Sequence, residues 1–301
     1  MTLEKNRLFE LLYPNGAPTT GSSSADFGEK VMVGMVHLSA LPGSPGFGGN
    51  VDEILQRAAA DARRLVEAGF SCLMLENFGD APFFPGRVPR HVVAFMTAVA
   101  GHVRETVKEA ALGINVLRND GLSALEVAAA SRASFIRVNV LAGARLSDQG
   151  ILQGIAHDLL RLRKTLGGDD VSILADVSVK HSSPLAPLSI EQEVEDLITR
   201  AGADGLVVTG TGTGHCPGTP LVEKVRRAAR SRATGAGPIP ILCGSGVTSE
   251  NLGSYWPHVD GVIVGSSLKE DDRATSPVSF SKAKVFVEKA RELSRGELKS
   301  R

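Results

Sequence analysis

Several features that mark special classes of protein are scarce in this sequence. Only three of its 301 residues are cysteine, and Cys72, Cys216 and Cys243 have no metal-type spacing. An odd number of such cysteines argues against a disulfide framework and favours a reducing compartment. The 33 basic residues balance 33 acidic ones. No overall field therefore attracts the chain to nucleic acid or to an anionic membrane.

Long apolar runs are also missing. No stretch approaches the roughly 20 apolar residues of a membrane span, and the N-terminus lacks the apolar run of a secretory signal. We therefore expect a soluble, cytoplasmic protein. The composition, with 43% hydrophobic and 22% charged residues, is that of a globular chain able to build a full core.

From Val31 onward, short apolar runs alternate with longer segments of helical period, each pair covering about 30 residues. Eight such runs lie at 31–38, 70–77, 112–117, 134–139, 171–177, 205–210, 239–244 and 261–265. They are apolar on nearly every residue, as expected where helices cover the outside and packed side chains fill the inside. The pattern predicts an α/β fold, a (β/α)8 TIM barrel over residues 31–301.

The segments between the runs have the period of amphipathic helices. They lie at 52–69, 89–110, 122–131, 152–166, 189–201, 219–232, 248–255 and 278–294. Gly69 stands where a glycine would end the first of these helices. The alternative fold is an open doubly wound sheet, whose first turn normally carries GxGxxG; here that turn reads HLSALPGSPGFGG. The barrel is therefore favoured.

Polar or ionisable residues stand at nearly every predicted strand end, the face on which such barrels carry their active sites. They are His37, Glu76, Asn77, Asn115, Arg118, Asn139, Asp176, Lys180, Thr209 and Cys243. Each alone has a structural explanation, such as a loop cap for Asn115 or a small buried hydrophobe for Cys243. A whole ring is harder to explain by stability, because burying polar groups costs free energy. We therefore predict a ligand site at the mouth.

Two glycine-serine turns directly follow strands seven and eight. They contain Gly244, Ser245 and Gly246 in the first turn, and Gly265, Ser266 and Ser267 in the second. Glycine lets the backbone approach an anion, and a short helix after Gly265 would direct N–H groups at it. Because barrels often bind phosphate at this position, the turns predict a phosphate site. Two tight turns without a ligand remain the alternative.

Two connections are long enough to cover the mouth. Residues 209–220, TGTGTGHCPGTP, are flexible by composition and contribute His215 as a candidate ligand-binding residue. Residues 141–152 contribute Arg145 and Asp148. Loops of this length are more often functional than not, with a subunit contact as the alternative.

Several segments resemble one known family. They are VGMVHLSALPGSP (33–45), ADARRLVEAGFSCLMLENFGDAPF (60–83), GINVLRND (113–120), RVNVLAGA (137–144), ILADVSVKHSSPL (173–185), DGLVVTGTGTG (204–214) and GSGVTSENL (244–252). On these segments the chain resembles the BtpA/SgcQ family from about Lys30 to Val287. The resemblance implies a barrel of the ribulose-phosphate-binding type. It also implies an association with photosystem I biogenesis or with sugar-transport genes, and it supplies no catalytic residues.

The first functional hypothesis is an enzyme acting on a phosphorylated sugar or related metabolite: an isomerase, a lyase or an enzyme that cleaves a glycosidic bond. Asp176 and Glu76 are the candidate acid and base, with neutral His37 as a further proton carrier. Lys180 would neutralise a developing oxyanion. We expect Asp176 and Glu76 to face the open mouth, and therefore to serve function without supporting the fold.

The second hypothesis is a non-catalytic assembly or regulatory factor for a membrane complex. A third is a metal hydrolase, in which Glu76, Asp176, His181 and His215 would converge on an ion. We expect no metal and no other cofactor.

The expected partners are a phosphorylated small molecule and further copies of the chain in a homo-oligomer, but not nucleic acid. Any peripheral membrane association would require a protein partner, because the sequence has no strongly basic amphipathic helix. Residues 1–30 form an extension in which Leu3 to Leu12 fit a short helix and Pro14 to Ser24 a linker. We expect this extension to cap the barrel bottom or to contact a partner subunit.

Overall fold

The computed structural model describes residues 30–210, 216–231 and 239–299. The strands in these ranges are β1 (Val31–His37), β2 (Cys72–Glu76), β3 (Ala111–Asn115), β4 (Phe135–Val138), β5 (Ala144–Ser147), β6 (Gly150–Gln153), β7 (Ser172–Val177), β8 (Ser182–Pro184), β9 (Gly205–Thr209), β10 (Ile241–Gly244) and β11 (Gly261–Val264). Eight of them close in the order β1-β2-β3-β4-β7-β9-β10-β11, with all pairs parallel and β11 paired to β1. The predicted barrel is confirmed.

A helix follows each barrel strand, close to the predicted segments. The helices are α1 (Val51–Ala68), α2 (Arg90–Thr106), α3 (Gly121–Ser131), α4 (Ala156–Thr165), α5 (Ile190–Glu195), α6 (Thr219–Arg230), α7 (Leu252–Tyr255) and α8 (Phe280–Lys299). The Asn50 side chain caps the start of α1, and Gly69, at φ 113°, ends it as predicted. None of the helices in the described ranges combines the length and the apolar character that crossing a membrane requires.

The strands carry two apolar layers. Inward-facing side chains fill the barrel; they are Val31, Val33, Met35, Cys72, Met74, Ala111, Phe135, Leu174, Val207, Leu242 and Ile263. A Cβ atom on Gly113 would lie 2.2 Å from the Phe135 ring, so glycine is needed there to admit that ring. Outward-facing residues such as Val36 and Leu75 pack in the second layer beneath the helices. Apart from Ser172 at the start of β7, the buried inward-facing polar residues lie at the C-terminal end of the barrel.

An accessory sheet was not predicted from the sequence. The connection at 141–152 forms a hairpin of β5 and β6, and β8 pairs with β5 to give the antiparallel order β6-β5-β8. Leu152 points inward to a small cluster with Val140 and Val179. The adjacent cross-strand pair Leu146 and Ile151 is 52% and 54% exposed. Side chains of the hairpin thus alternate between a buried and an exposed face, as they do in strands, although the sequence analysis treated this segment as a loop.

A buried ion pair joins the segment after β11 to α1. The Lys269 ammonium lies 3.0 Å from Asp61 Oδ2, and both side chains are almost completely buried. The other oxygen, Asp61 Oδ1, accepts a hydrogen bond of 2.8 Å from the Val278 amide. Burial lowers the pKa of Lys269, and the Asp61 carboxylate opposes that shift. The pair fixes the course of the chain immediately beyond the second glycine-serine turn.

We expect Lys269→Met to lower the free energy of unfolding by about 3 kcal/mol, because it leaves the buried Asp61 carboxylate with only the partly exposed Arg64 guanidinium, 3.6 Å away, as a cation. Urea denaturation measures the loss. The matched control is Lys282→Met, which removes an ammonium that lies 2.8 Å from Asp272 in a much more exposed pair. This variant should lower the free energy of unfolding by under about 1 kcal/mol. Equal losses in the two variants would contradict a structural role for the Lys269–Asp61 pair.

Candidate functional site

A cavity of about 210 Å³ opens at the C-terminal ends of the barrel strands. It is lined by Met35, His37, Glu76, Phe78, Arg137, Lys180, Ser245, Gly246, Val247, Thr248, Ile263, Gly265, Ser266, Ser267 and Asp272. Three of the four predicted catalytic residues and five of the six predicted phosphate-binding residues are in this set. The sixth, Gly244, ends β10, where a Cβ atom would lie 2.7 Å from the Val207 side chain.

The two glycine-serine turns form one wall of the cavity. After β10, Ser245 and Gly246 have φ angles of 74° and 68°, both in the left-handed region. For serine this conformation costs about 1–2 kcal/mol, and such strain concentrates at functional sites. After β11 the chain makes a 3-10 turn over Ser266–Leu268. The Ser267 hydroxyl donates a hydrogen bond of 2.8 Å to the Val247 carbonyl, which joins the two turns.

His37 and Glu76 lie side by side at the ends of β1 and β2. Their closest atoms, His37 Nε2 and Glu76 Oε1, are 3.7 Å apart, and both side chains are buried. The imidazole packs against Phe78, with ring centroids 4.9 Å apart. Burial lowers the pKa of His37 well below its usual value, and the positive charges of Lys269 and Lys180 lower it further. The imidazole is therefore neutral at pH 7, with one donor and one acceptor nitrogen.

Asp176 is engaged in a buried network. Arg137 Nε and Nη2 donate to its two carboxylate oxygens at 2.8 and 2.9 Å, and Asn139 Nδ2 donates to Oδ2 at 2.8 Å. Asp176 does not line the cavity, and only 2% of its surface is exposed. These bonds give Asp176 a part in supporting the fold that the sequence analysis did not expect, while its catalytic role stays a prediction; together with Asn139 it lines a second, smaller cavity beside β5. The buried carboxylate that does line the cavity is Glu76.

Lys180 brings a positive charge close to the first glycine-serine turn. Its ammonium lies 3.5 Å from the Ser245 hydroxyl. Burial, and next the positive charge of Arg137, lower the pKa of Lys180. Arg118 does not line the cavity itself; its guanidinium group donates a hydrogen bond of 2.6 Å to the Lys180 carbonyl. Arg118 therefore positions the loop that carries Lys180.

The remaining predicted ligand-binding residues also hold the frame of the mouth and do not line the cavity. Asn77 accepts from the Leu117 amide at 2.7 Å. Asn115 donates to the Arg137 carbonyl at 3.0 Å, and Thr209 to the Ser178 carbonyl at 3.3 Å. These amides and hydroxyls satisfy buried backbone groups, and their role as ligand-binding residues stays a prediction. Asn139, held on Asp176, belongs with them.

Three further predicted residues are also placed away from the cavity or are not described. Cys243 packs in the apolar layer beneath the helices, and burial raises its pKa to about 12. Arg145 donates to Ser182 at 2.7 Å and thereby fastens the accessory sheet. His215 lies outside the described residues. Within the described ranges, no three His, Cys, Asp or Glu side chains are placed to hold a metal ion.

Arg137 is the main residue that the sequence analysis missed. It is the one polar residue in β4, FIRV, and lies two positions before Asn139 and so on the same face. An arginine in such a run must be paired if it is buried, and this is the signal that would have identified it. Thr248 and Asp272 line the cavity from the loops after β10 and β11 and were missed as well.

We expect Asp176→Asn to destabilise the fold by about 3–5 kcal/mol, because it leaves the Arg137 guanidinium buried without its counterion. Chemical denaturation followed by circular dichroism measures the change. Asp272→Asn is a matched control: it removes a carboxylate that is exposed, and should cost under about 1 kcal/mol. An Asp176→Asn variant as stable as the parent would return Asp176 to the list of residues that serve function alone.

Comparison with known proteins agrees with the segments noted in the sequence. The BtpA family model matches residues 28–292. An uncharacterised protein of Thermococcus kodakarensis is 43% identical over 269 residues, which cover 89% of this chain and 98% of the relative. The photosystem I biogenesis protein BtpA of Synechocystis sp. is 40% identical over 257 residues, which cover 85% of this chain and 86% of the relative.

Solved structures share the fold at much lower identity. Phosphoribosyl anthranilate isomerase from Thermus thermophilus superimposes with a TM-score of 0.52 at 10% identity, over 87% of this chain and 99% of its own. The tryptophan synthase alpha chain from Legionella pneumophila gives 0.54 at 12% identity, over 89% and 92%. These two likenesses concern the barrel fold alone. The match over 28–292 and the identity to full-length relatives show that the chain belongs to the BtpA family.

Proposed function

We propose that this chain is an enzyme that acts on a phosphorylated sugar or related metabolite by acid–base chemistry at the mouth of the barrel. The main support is one observation. The two turns that fit a phosphate and the ionisable residues Glu76, His37 and Lys180 line a single cavity. Barrels commonly bind phosphate in the loops after the last two strands, and that is where these turns lie.

The phosphate is proposed to sit against Gly246 and Ser266. Backbone N–H groups at such turns offer uncharged donors, and the absence of a side chain at Gly246 leaves room for an anion. Lys180, 3.5 Å from the Ser245 hydroxyl, adds a positive charge at the edge of the same turn. A phosphate bound here would leave the rest of the metabolite above His37 and Glu76.

Glu76 is proposed as the base. It would remove a proton from a carbon next to a carbonyl group, and the electron pair would move to the carbonyl oxygen. Lys180 would stabilise the resulting enediolate. Return of the proton to the neighbouring carbon completes an isomerisation. In a lyase the base would instead take the proton of a β-hydroxyl group, which becomes a carbonyl as the carbon–carbon bond breaks, and the electron pair of that bond would give the enediolate. Neutral His37, 3.7 Å from Glu76, would carry a proton between oxygens of the intermediate.

Analogy at the level of the fold agrees with a phosphorylated sugar derivative as the ligand. Phosphoribosyl anthranilate isomerase is, by its name, an isomerase of a phosphorylated sugar derivative, and it has the same barrel. At 10% identity this likeness supports the class of ligand and not a particular reaction.

A second candidate function is a non-catalytic role in assembly. The Synechocystis relative is named a photosystem I biogenesis protein. The accessory sheet and the segment after it expose four large apolar side chains: Leu146, Ile151, Leu185 and Leu188. Apolar side chains exposed together are typical of protein contact sites. This surface would take a second copy of the chain or a partner at a membrane complex.

The phosphate site is tested by Gly246→Asp, with binding of glycerol 3-phosphate measured by calorimetry. Affinity should fall at least about tenfold, roughly 1.4 kcal/mol, because the new carboxylate would occupy the proposed anion position and repel the phosphate. Gly246→Asn is the matched control, since asparagine has the same size, carries no charge and also tolerates a positive φ. Binding that is absent in the parent, or equal in the parent and the aspartate variant, would contradict the site.

The acid–base assignment is tested by exchange of carbon-bound hydrogen with deuterated water, followed by NMR on ribulose 5-phosphate. We expect exchange next to the carbonyl in the parent and a loss of about 100-fold or more in Glu76→Gln, which removes the base but keeps the size. Glycerol 3-phosphate affinity should stay within about threefold. Undiminished exchange in Glu76→Gln would show that Glu76 is not the base. No exchange in the parent protein would favour the assembly role.

A further inference from the structure

Arg137 presents a fixed donor to the cavity. Its bonds to Asp176 use the N–H of Nε and one N–H of Nη2, so the two N–H groups of Nη1 and the second N–H of Nη2 remain as donors of the guanidinium. The side chain lines the cavity although only 3% of the residue surface is exposed. Asn139 also binds Asp176 and so limits the movement of the carboxylate that holds the guanidinium in place. The group is therefore positioned before any ligand arrives.

A second cation lies close to this donor. Lys180 lines the same cavity, and the positive charge of Arg137 is the second largest cause, after burial, of its lowered pKa. Glu76 and Asp176 oppose that shift, and Arg118 adds to it. Two buried like charges disfavour one another, so the arrangement does not stabilise the empty protein. An oxyanion between them would relieve the repulsion.

We propose that Arg137 and Lys180 form a second oxyanion subsite beside the phosphate turns, which selects ligands that carry a carboxylate or an enolisable carbonyl close to their phosphate group. The inference rests on the proposed function, because it takes the phosphate to occupy the turns. It narrows the substrate class to phosphorylated oxo or carboxylic acid metabolites and phosphorylated ketoses. Arg137 is thereby assigned to ligand recognition, with Asp176 and Asn139 as positioning residues.

The test compares two pairs of ligands by calorimetry, so that two spacings between the charged groups are sampled. In each pair a hydroxymethyl group replaces the carboxylate: 2-phosphoglycolate against 2-hydroxyethyl phosphate, and 3-phosphoglycerate against glycerol 3-phosphate. We expect the carboxylate to improve affinity at least about tenfold in one pair. If glycerol 3-phosphate binds and neither carboxylate improves affinity, the subsite is refuted while the phosphate site stands. If no phosphate ester binds, the proposed function fails as well.

The variant is Arg137→Lys, which keeps a cation for Asp176 but loses the planar fork. The advantage of the carboxylate should shrink to within about threefold, while glycerol 3-phosphate affinity changes by less than about threefold. The matched control is Arg226→Lys. Arg226 is also buried and paired, 3.2 Å from Asp260, but does not line the cavity, so the carboxylate advantage should persist. An unchanged advantage in Arg137→Lys would overturn the proposal.

A readout on the parent protein keeps the proposal falsifiable if Arg137→Lys does not fold. An anion beside Lys180 raises its depressed pKa, so binding takes up protons in the pH range where Lys180 is partly deprotonated. In the pair whose carboxylate improves affinity, binding of the carboxylate ligand should take up more protons than binding of its hydroxymethyl counterpart, as measured by calorimetry in buffers of different ionisation enthalpy. Equal uptake across a pH series would show that the second anion lies away from Lys180.

Discussion

The arrangement of the barrel mouth depends on the pairing of Arg137 with Asp176 across β4 and β7. Both groups face the inside of the barrel directly above its apolar filling, where an unpaired charge would be very costly. Two parallel hydrogen bonds and a third from Asn139 satisfy the carboxylate. Asn115 then binds the Arg137 backbone and extends the network to β3. The polar mouth thus begins from a rigid floor.

Residues that fill the barrel and residues that line the cavity lie at different levels along the barrel axis. Below the floor, the inward residues are apolar except for Ser172, and Gly113 is small because Phe135 fills its space. Above it, polar side chains fall into two groups. One group binds buried backbone atoms and fixes loops, as Asn77 does for Leu117. The other faces the cavity, and Glu76 and Lys180 belong to it. Residues of one chemical type therefore have different roles according to what they face.

Much of the fold could be predicted from the sequence, because eight apolar runs and their helices repeat a pattern that only a few folds satisfy. The two glycine-serine turns were also found, since their position after the last two strands follows from strand order alone. The partner of Asp176 could not be found in this way. It depends on the register and stagger between β4 and β7, which hydrophobic periodicity does not determine. The accessory sheet was missed because its strands are only three or four residues long.

Two buried ion pairs illustrate how a structural charge differs from one available for function. Lys269 and Asp61 meet between the segment after β11 and α1, where Asp61 binds both the ammonium and the Val278 amide, and neither residue lines the cavity at the mouth. Arg137 and Asp176 are as deeply buried, but the guanidinium retains Nη1 and borders the cavity. The donors of an ammonium cannot be divided between two separate edges in this way, because all three N–H groups belong to one nitrogen. A guanidinium can be fixed by one edge and leave the other edge free to donate, which is the property that the proposed oxyanion subsite requires of Arg137.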